Sequence, residues 1–153
     1  MSVKPLQEWL MAYSVSHQNK VNKWIHRVCV PVIFISIYAI LFAIPTPSSF
    51  PVIVNWANLV YILALIFWFR LNILVGIAFL IVGVLVALGV MFYWVVFCFA
   101  LKMVLFKVAL VAFILAWIGQ FIGHHIEGKK PSFLDDLKFL LIGPIWIVYS
   151  IKK

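Results

Sequence analysis

The sequence predicts an all-α integral membrane protein with about four transmembrane helices, an N-terminal amphipathic helix and a C-terminal re-entrant or interfacial helical segment. Three observations predict it. First, 67% of the 153 residues are hydrophobic and 10% are charged, against about 45–50% and about 25% in ordinary soluble domains. Second, uncharged runs of 42, 31 and 19 residues occupy positions 28–69, 71–101 and 108–126, and about 20 mostly apolar residues cross a bilayer as a helix. Third, the 12 Lys+Arg, set against 4 Asp+Glu, flank those runs and form no patch with interleaved aromatics. Such a balance suits a membrane surface and not nucleic acid. The composition excludes a soluble globular domain, a disordered tail, a collagen-like fibre and a disulfide-stapled module. The length fits one domain, 1–153.

Each element has its own justification. Leu6, Trp9, Leu10 and Tyr13 recur at helical spacing, with Gln7 and Glu8 off that stripe and Pro5 suited to a first turn. This is an amphipathic helix, lying on the membrane or packed on the other spans. No signal-peptide core precedes it, so no cleaved signal is expected. The 42-residue run must hold two spans, because Pro45, Pro47 and Pro51 fall within seven residues of one another and cannot continue a helix. The spans are placed near 25–44 and 52–69, and Arg70 ends the second. A third lies near 71–90, followed by an aromatic half-span with Phe92, Tyr93, Trp94, Phe97 and Phe99. The fourth lies near 108–126. The 13-residue run Phe139–Ile151 is interrupted by Gly143-Pro144 and is too short to cross; a re-entrant or interfacial helix pair is expected there.

With four spans, Lys4, Lys20, Lys23, Arg27, Arg70, Lys129, Lys130, Lys138, Lys152 and Lys153 all fall on one side. The positive-inside rule makes that side cytoplasmic, with both termini there, in a bacterial inner membrane or the endoplasmic reticulum. Lys102 and Lys107 fit this topology less well. Cys29 and Cys98 sit inside apolar runs without metal spacing and are small buried hydrophobes.

The same topology gathers all four histidines, His17, His26, His124 and His125, at the cytoplasmic ends of spans. Ionisable groups at such boundaries are costly unless they pair or bind something, and neutral imidazole is the commonest metal ligand. A lone boundary histidine is usually an interfacial polar residue; a set of four makes each a candidate metal ligand. His17 and His26 are nine residues apart, about 180° on one straight helix. A shared site therefore needs a break between them, which Asn19 or Asn22 can supply, Asn22 as cap of the first span. Gln120, His124 and Glu127, at i, i+4 and i+7, share one face with Trp117, whereas His125 is turned about 100° away. Zinc and ferrous iron both suit such a set of imidazoles and a carboxylate. The histidine boxes of a di-iron desaturase are absent, and rim positions do not suit a bis-histidine haem.

The motif Tyr13-Ser14-x-x-His17-x-x-x-x-Asn22-Lys23-x-x-His26-x-x-x-x-Pro31 resembles the opening of the yeast-type 2-hydroxy fatty acid dioxygenase family, formerly a domain of unknown function. Trp117-Ile118-x-Gln120-Phe121-Ile122-Gly123-His124, Glu127-Gly128-Lys129-Lys130-Pro131-Ser132-Phe133-Leu134 and Leu141-Ile142-Gly143-Pro144 extend the resemblance over nearly the whole chain. It implies a membrane-embedded, iron(II)-dependent dioxygenase of lipid α-oxidation. The reaction implied converts a long-chain 2-hydroxy fatty acid, or its thioester, and O2 to the acid one carbon shorter and CO2. The yeast members serve sphingolipid breakdown in this way. His17, His26 and His124 carry over as metal ligands for Fe2+; His125 is outside the motif.

A 2-hydroxy acid can chelate one metal through its carboxylate and hydroxyl. Cleavage of C1–C2 removes four electrons and one O2 accepts four, so no further reductant is needed. Gln120, Glu127 and Asn22 are candidates to orient the imidazoles or bind the substrate head, and Glu127 is also a candidate ligand. Lys129 and Lys130 mark the cytoplasmic side or steer an acidic substrate. Asp135 and Asp136 suit a helix N-terminus. The alternative is a non-catalytic metal- or lipid-binding membrane protein, which shares every one of these features and differs only in turnover. A small transporter fits less well, because polar groups near the bilayer midplane are nearly absent: Asn55, Asn58 and Asn72 lie near span ends.

Overall fold

A computed structural model describes residues 6–47, 49–51, 53–96, 102–128 and 139–151. Pro5, Phe97, Phe99, Lys129, Lys130, Asp135 and Asp136, named above, lie outside the described residues. Six helices and no strand occur among the described residues. They are α1 (Leu6–Val15), α2 (Lys20–Ala43), α3 (Trp56–Leu71), α4 (Ile73–Val96), α5 (Lys102–Glu127) and α6 (Gly143–Ile151).

Three of them, α2, α4 and α5, are long and apolar enough to cross a membrane. Helix α3 is apolar but has 16 residues, about 24 Å at 1.5 Å per residue, short of a hydrocarbon core of about 30 Å. Their outward faces are apolar: Leu74 is 72% exposed, Leu85 64% and Leu115 62%. Soluble monomers rarely show such continuous apolar surface, so the chain reads as a membrane protein.

Asparagines set the helix ends. The first long helix starts earlier than expected, because the Asn19 side chain, and not that of Asn22, accepts the amides of Val21 (2.8 Å) and Asn22 (3.4 Å). Asn55 caps α3 by accepting the Asn58 amide at 2.9 Å. Asn72 ends α3, its amide donating to the Trp68 carbonyl, and begins α4, its side chain accepting from Leu74 and Val75. One residue thus turns the chain between two apolar helices. Within the described residues α4 runs on past position 90 through Val96, taking in Phe92, Tyr93 and Trp94. Helix α5 begins at Lys102, six residues before the expected start, so Lys107 is helical. Gly143-Pro144 opens α6 after a turn at Leu141-Ile142, with Phe139 and Leu140 helical before it; the Trp146 amide donates to the Ile142 carbonyl at 2.9 Å, and proline suits a first turn because an N–H there would have no helical partner.

The chain divides into two compact units. Unit 1 holds residues 1–33 and 114–153, and unit 2 holds 34–113, so α2 and α5 each contribute one half to each unit. In unit 2, α3 and α4 form an antiparallel pair around Trp68, which is fully buried and stacks on Phe79 at 4.0 Å. The Tyr61 hydroxyl donates to the Phe79 carbonyl at 2.6 Å. Tyr38, Phe42 and Ala57 form a core with Tyr61, Val90 and Leu105 against it, and the Tyr38 hydroxyl donates to Asn58 Oδ1. In unit 1, α1 packs on α6 through the stripe the spacing picked out, with Leu10 and Tyr13 buried.

Candidate metal centre

Unit 1 holds the polar residues of interest. His17 lies in the turn after α1, His26 in the second turn of α2 and His124 near the end of α5. They are 4%, 1% and 7% exposed. The break between α1 and α2 is what lets two histidines nine residues apart meet. Their ring centroids are 4.3 Å apart, and His124 lies 5.6 Å from His17 and 5.1 Å from His26. One ligand nitrogen from each of the three falls within 4.8 Å of the others.

The backbone fixes two of the rings. His17 Nδ1 is 2.7 Å from the Tyr13 carbonyl and His26 Nδ1 is 3.0 Å from the Asn22 carbonyl. A carbonyl only accepts, so Nδ1 carries the proton in both rings and Nε2 holds the lone pair. Metal-ligating histidines are held by this kind of bond. His17 is further clamped by aromatic rings: Tyr13 stacks on it at 4.1 Å and Trp146 lies 4.9 Å away. Trp146 in turn donates its Nε1–H to Ser14 Oγ at 2.8 Å.

Glu127 closes the turn that carries His17. Its carboxylate accepts the Gln18 amide at 2.6 Å, the Asn19 amide at 3.0 Å and Asn22 Nδ2 at 2.9 Å. Both oxygens are engaged at the N-terminus of α2, where negative charge is favoured. Asn22, fully buried, also donates to the Ser16 carbonyl at 3.3 Å. Gln120, 6% exposed, lies one turn before His124 on the same buried face as Ala116 and Gly123. His125 is exposed and outside the converging trio.

Two glycines let α5 approach α2. A Cβ on Gly119 would lie 2.6 Å from Cys29 Sγ, and one on Gly123 would run into Asn22 Oδ1 and lie 3.4 Å from His26 Cε1. Small residues four apart allow such close packing in membranes. The spacing Gly119-x-x-x-Gly123 is the sequence signal of this close approach. Asn19, one of the two asparagines expected to end or cap a helix, is the one that caps α2, and Trp146 leaves no signal beyond lying in an apolar run.

The donor set fits a metal: three buried, mutually close imidazoles, two with tautomers set for Nε2 ligation, and no cation needed to neutralise them. A family model described as 2-hydroxy-palmitic acid dioxygenase Mpo1-like matches residues 3–153. A search of the curated proteins finds no match, nor does a search of the solved structures.

Proposed function

Because the chain belongs to the 2-hydroxy-palmitic acid dioxygenase Mpo1-like family, we propose that it is an iron(II)-dependent dioxygenase. It would convert a long-chain 2-hydroxy fatty acid and O2 to the fatty acid one carbon shorter, CO2 and water. The observation that carries the reading is the buried trio His17, His26 and His124. Zinc undergoes no redox chemistry, whereas oxidative cleavage must move four electrons; a redox-active metal that accepts imidazole is required, and ferrous iron meets that need. When bound, the iron supplies a centre at which the 2-hydroxy acid and O2 exchange electrons.

The chain's own residues do the rest. His17, His26 and His124 hold the metal. Tyr13 and Asn22, through their carbonyls, keep Nδ1 protonated and Nε2 basic. Glu127 acts as a positioning residue, fixing the turn that carries His17. His125 stays outside the ligand set. The apolar surroundings exclude water and suit a fatty chain drawn from membrane lipid. The charge distribution along the sequence supports termini on the cytoplasmic side.

The test is aerobic incubation of detergent-solubilised protein with ferrous iron and a long-chain 2-hydroxy acid, with a chelated control, followed by mass spectrometry. The expected product is the acid shortened by one carbon, lost on chelation and in His17→Ala, His26→Ala and His124→Ala. An iron-loaded protein that forms no such product from acid or thioester would defeat the reading in favour of a non-catalytic binder.

A further inference from the structure

We propose that Gln120 is a substrate-binding, specificity-determining residue whose side-chain amide donates to a carboxylate oxygen of the substrate head. The inference rests on the dioxygenase reading above and names the group that recognises the acid. Gln120 is 6% exposed, and its Nε2 has no hydrogen-bond partner among the described residues. A buried NH2 group without an acceptor is costly, and more so in apolar surroundings. It is one helical turn from His124 on the same face of α5, and side chains so spaced have Cβ atoms about 5–6 Å apart.

The neighbouring polar groups are committed elsewhere, have the wrong polarity or lie on another face of their helix. The Glu127 carboxylate and Asn22 Nδ2 are bonded to each other and to the α1–α2 turn. The remaining Asn22 oxygen is an acceptor, as a carboxylate is. The Arg27 guanidinium lies over Trp24 at 4.9 Å and donates through one Nη to the Ser150 carbonyl at 3.2 Å, leaving its buried Nε without a partner among the described residues; Arg27 follows His26 directly on α2 and is turned about 100° from it. Gln120 therefore provides an uncommitted buried donor beside the trio. A carboxylate chelating through one oxygen and the 2-hydroxyl keeps a second carboxylate oxygen to accept from it. A neutral amide suits this depth, because a lysine or arginine would carry the cost of a buried charge before substrate arrives.

The experiment measures binding without turnover. Anaerobic protein loaded with Fe(II) is titrated with a long-chain 2-hydroxy acid and, separately, with the 1,2-diol of the same chain length, which lacks the carboxylate. Metal content is measured in each sample. Wild type is expected to prefer the acid. Gln120→Leu and Gln120→Ala are expected to keep the metal and reduce the acid-over-diol preference at least tenfold. The preference is a ratio within one sample, so partial misfolding does not alter it. An unchanged preference in both variants overturns the role of Gln120 alone, as does loss of metal in both, which would make Gln120 a support of the trio. A wild type that holds iron and binds neither ligand overturns the dioxygenase reading, and this inference with it.

Discussion

At the scale of single residues, Glu127 fixes the turn that carries His17. Its carboxylate gathers two backbone amides and the Asn22 amide. Hydrogen bonds to a charged acceptor contribute about 1.5–3 kcal/mol each when buried, and less here, since Glu127 is only half-buried. Glu127→Ala is expected to free the turn carrying His17 and weaken iron binding about 10- to 100-fold, the range for groups that orient metal ligands. Glu127→Gln, keeping one acceptor, should fall between. Competition titration against a chelator measures both; equal affinity in all three proteins would refute the positioning role. Gly123→Ala tests the same site from α5, since the added methyl meets Asn22 Oδ1 and approaches His26. It should weaken iron binding more than Gly128→Ala, whose Cβ meets nothing within 4 Å and whose cost is confined to a φ of 73°. Equal losses in the two would remove the steric argument. The polar side chains of this site were legible because an apolar chain keeps few of them: His17, His26, His124, Gln120, Asn22 and Glu127 stood out against their surroundings. Trp146 and Gly123 did not, since one looks like any membrane aromatic and the other acts through a missing side chain.

At the scale of elements, what the sequence announced was that helices exist and where the prolines forbid them. What it left open was where each helix begins, because neighbouring asparagines such as Asn19 and Asn22 compete as caps and geometry selects between them. Asn19 caps α2 and Asn22 turns to Glu127; Asn72 serves two helices at once. The α3–α4 pair depends on a different device. Gly76 and Gly83 lie seven residues apart on one face of α4, and a Cβ at either would enter the ring of Phe69 or Tyr61 respectively. Gly89 faces open space, with nothing within 4 Å of its would-be Cβ. Gly83→Ala should therefore destabilise the protein by about 1–3 kcal/mol through overpacking. Gly89→Ala should be neutral or stabilising, since alanine is about 1 kcal/mol better than glycine inside a helix. Thermal unfolding in detergent separates the two, and a Gly83→Ala midpoint at or above wild type would show that the helices do not pack this closely.

At the scale of the whole molecule, polar chemistry and apolar packing are divided between the two units. Unit 1 contains the three converging imidazoles, Gln120 and the Glu127 clamp. Unit 2 contains the α3–α4 pair and a core of Tyr38, Phe42 and Ala57. A ligand stabilises the states that bind it, by about 2.7 kcal/mol at a concentration of 100 Kd. Opening of the α1–α2 turn, of the start of α2 or of the end of α5 separates the ligands, so such local opening must first release the metal. Opening confined to α3 and α4 separates none of them. Iron should thus slow amide hydrogen exchange at residues 17–27 and 117–127, while residues 57–85 exchange at nearly the same rate with or without it. Hydrogen exchange with mass-spectrometric readout, on detergent-solubilised protein with ferrous iron and with excess chelator, makes the comparison. Equal protection of both regions would mean that exchange proceeds only through opening of both units together. Protection of 57–85 alone would place the metal away from the histidines, and the trio would then owe its burial to packing.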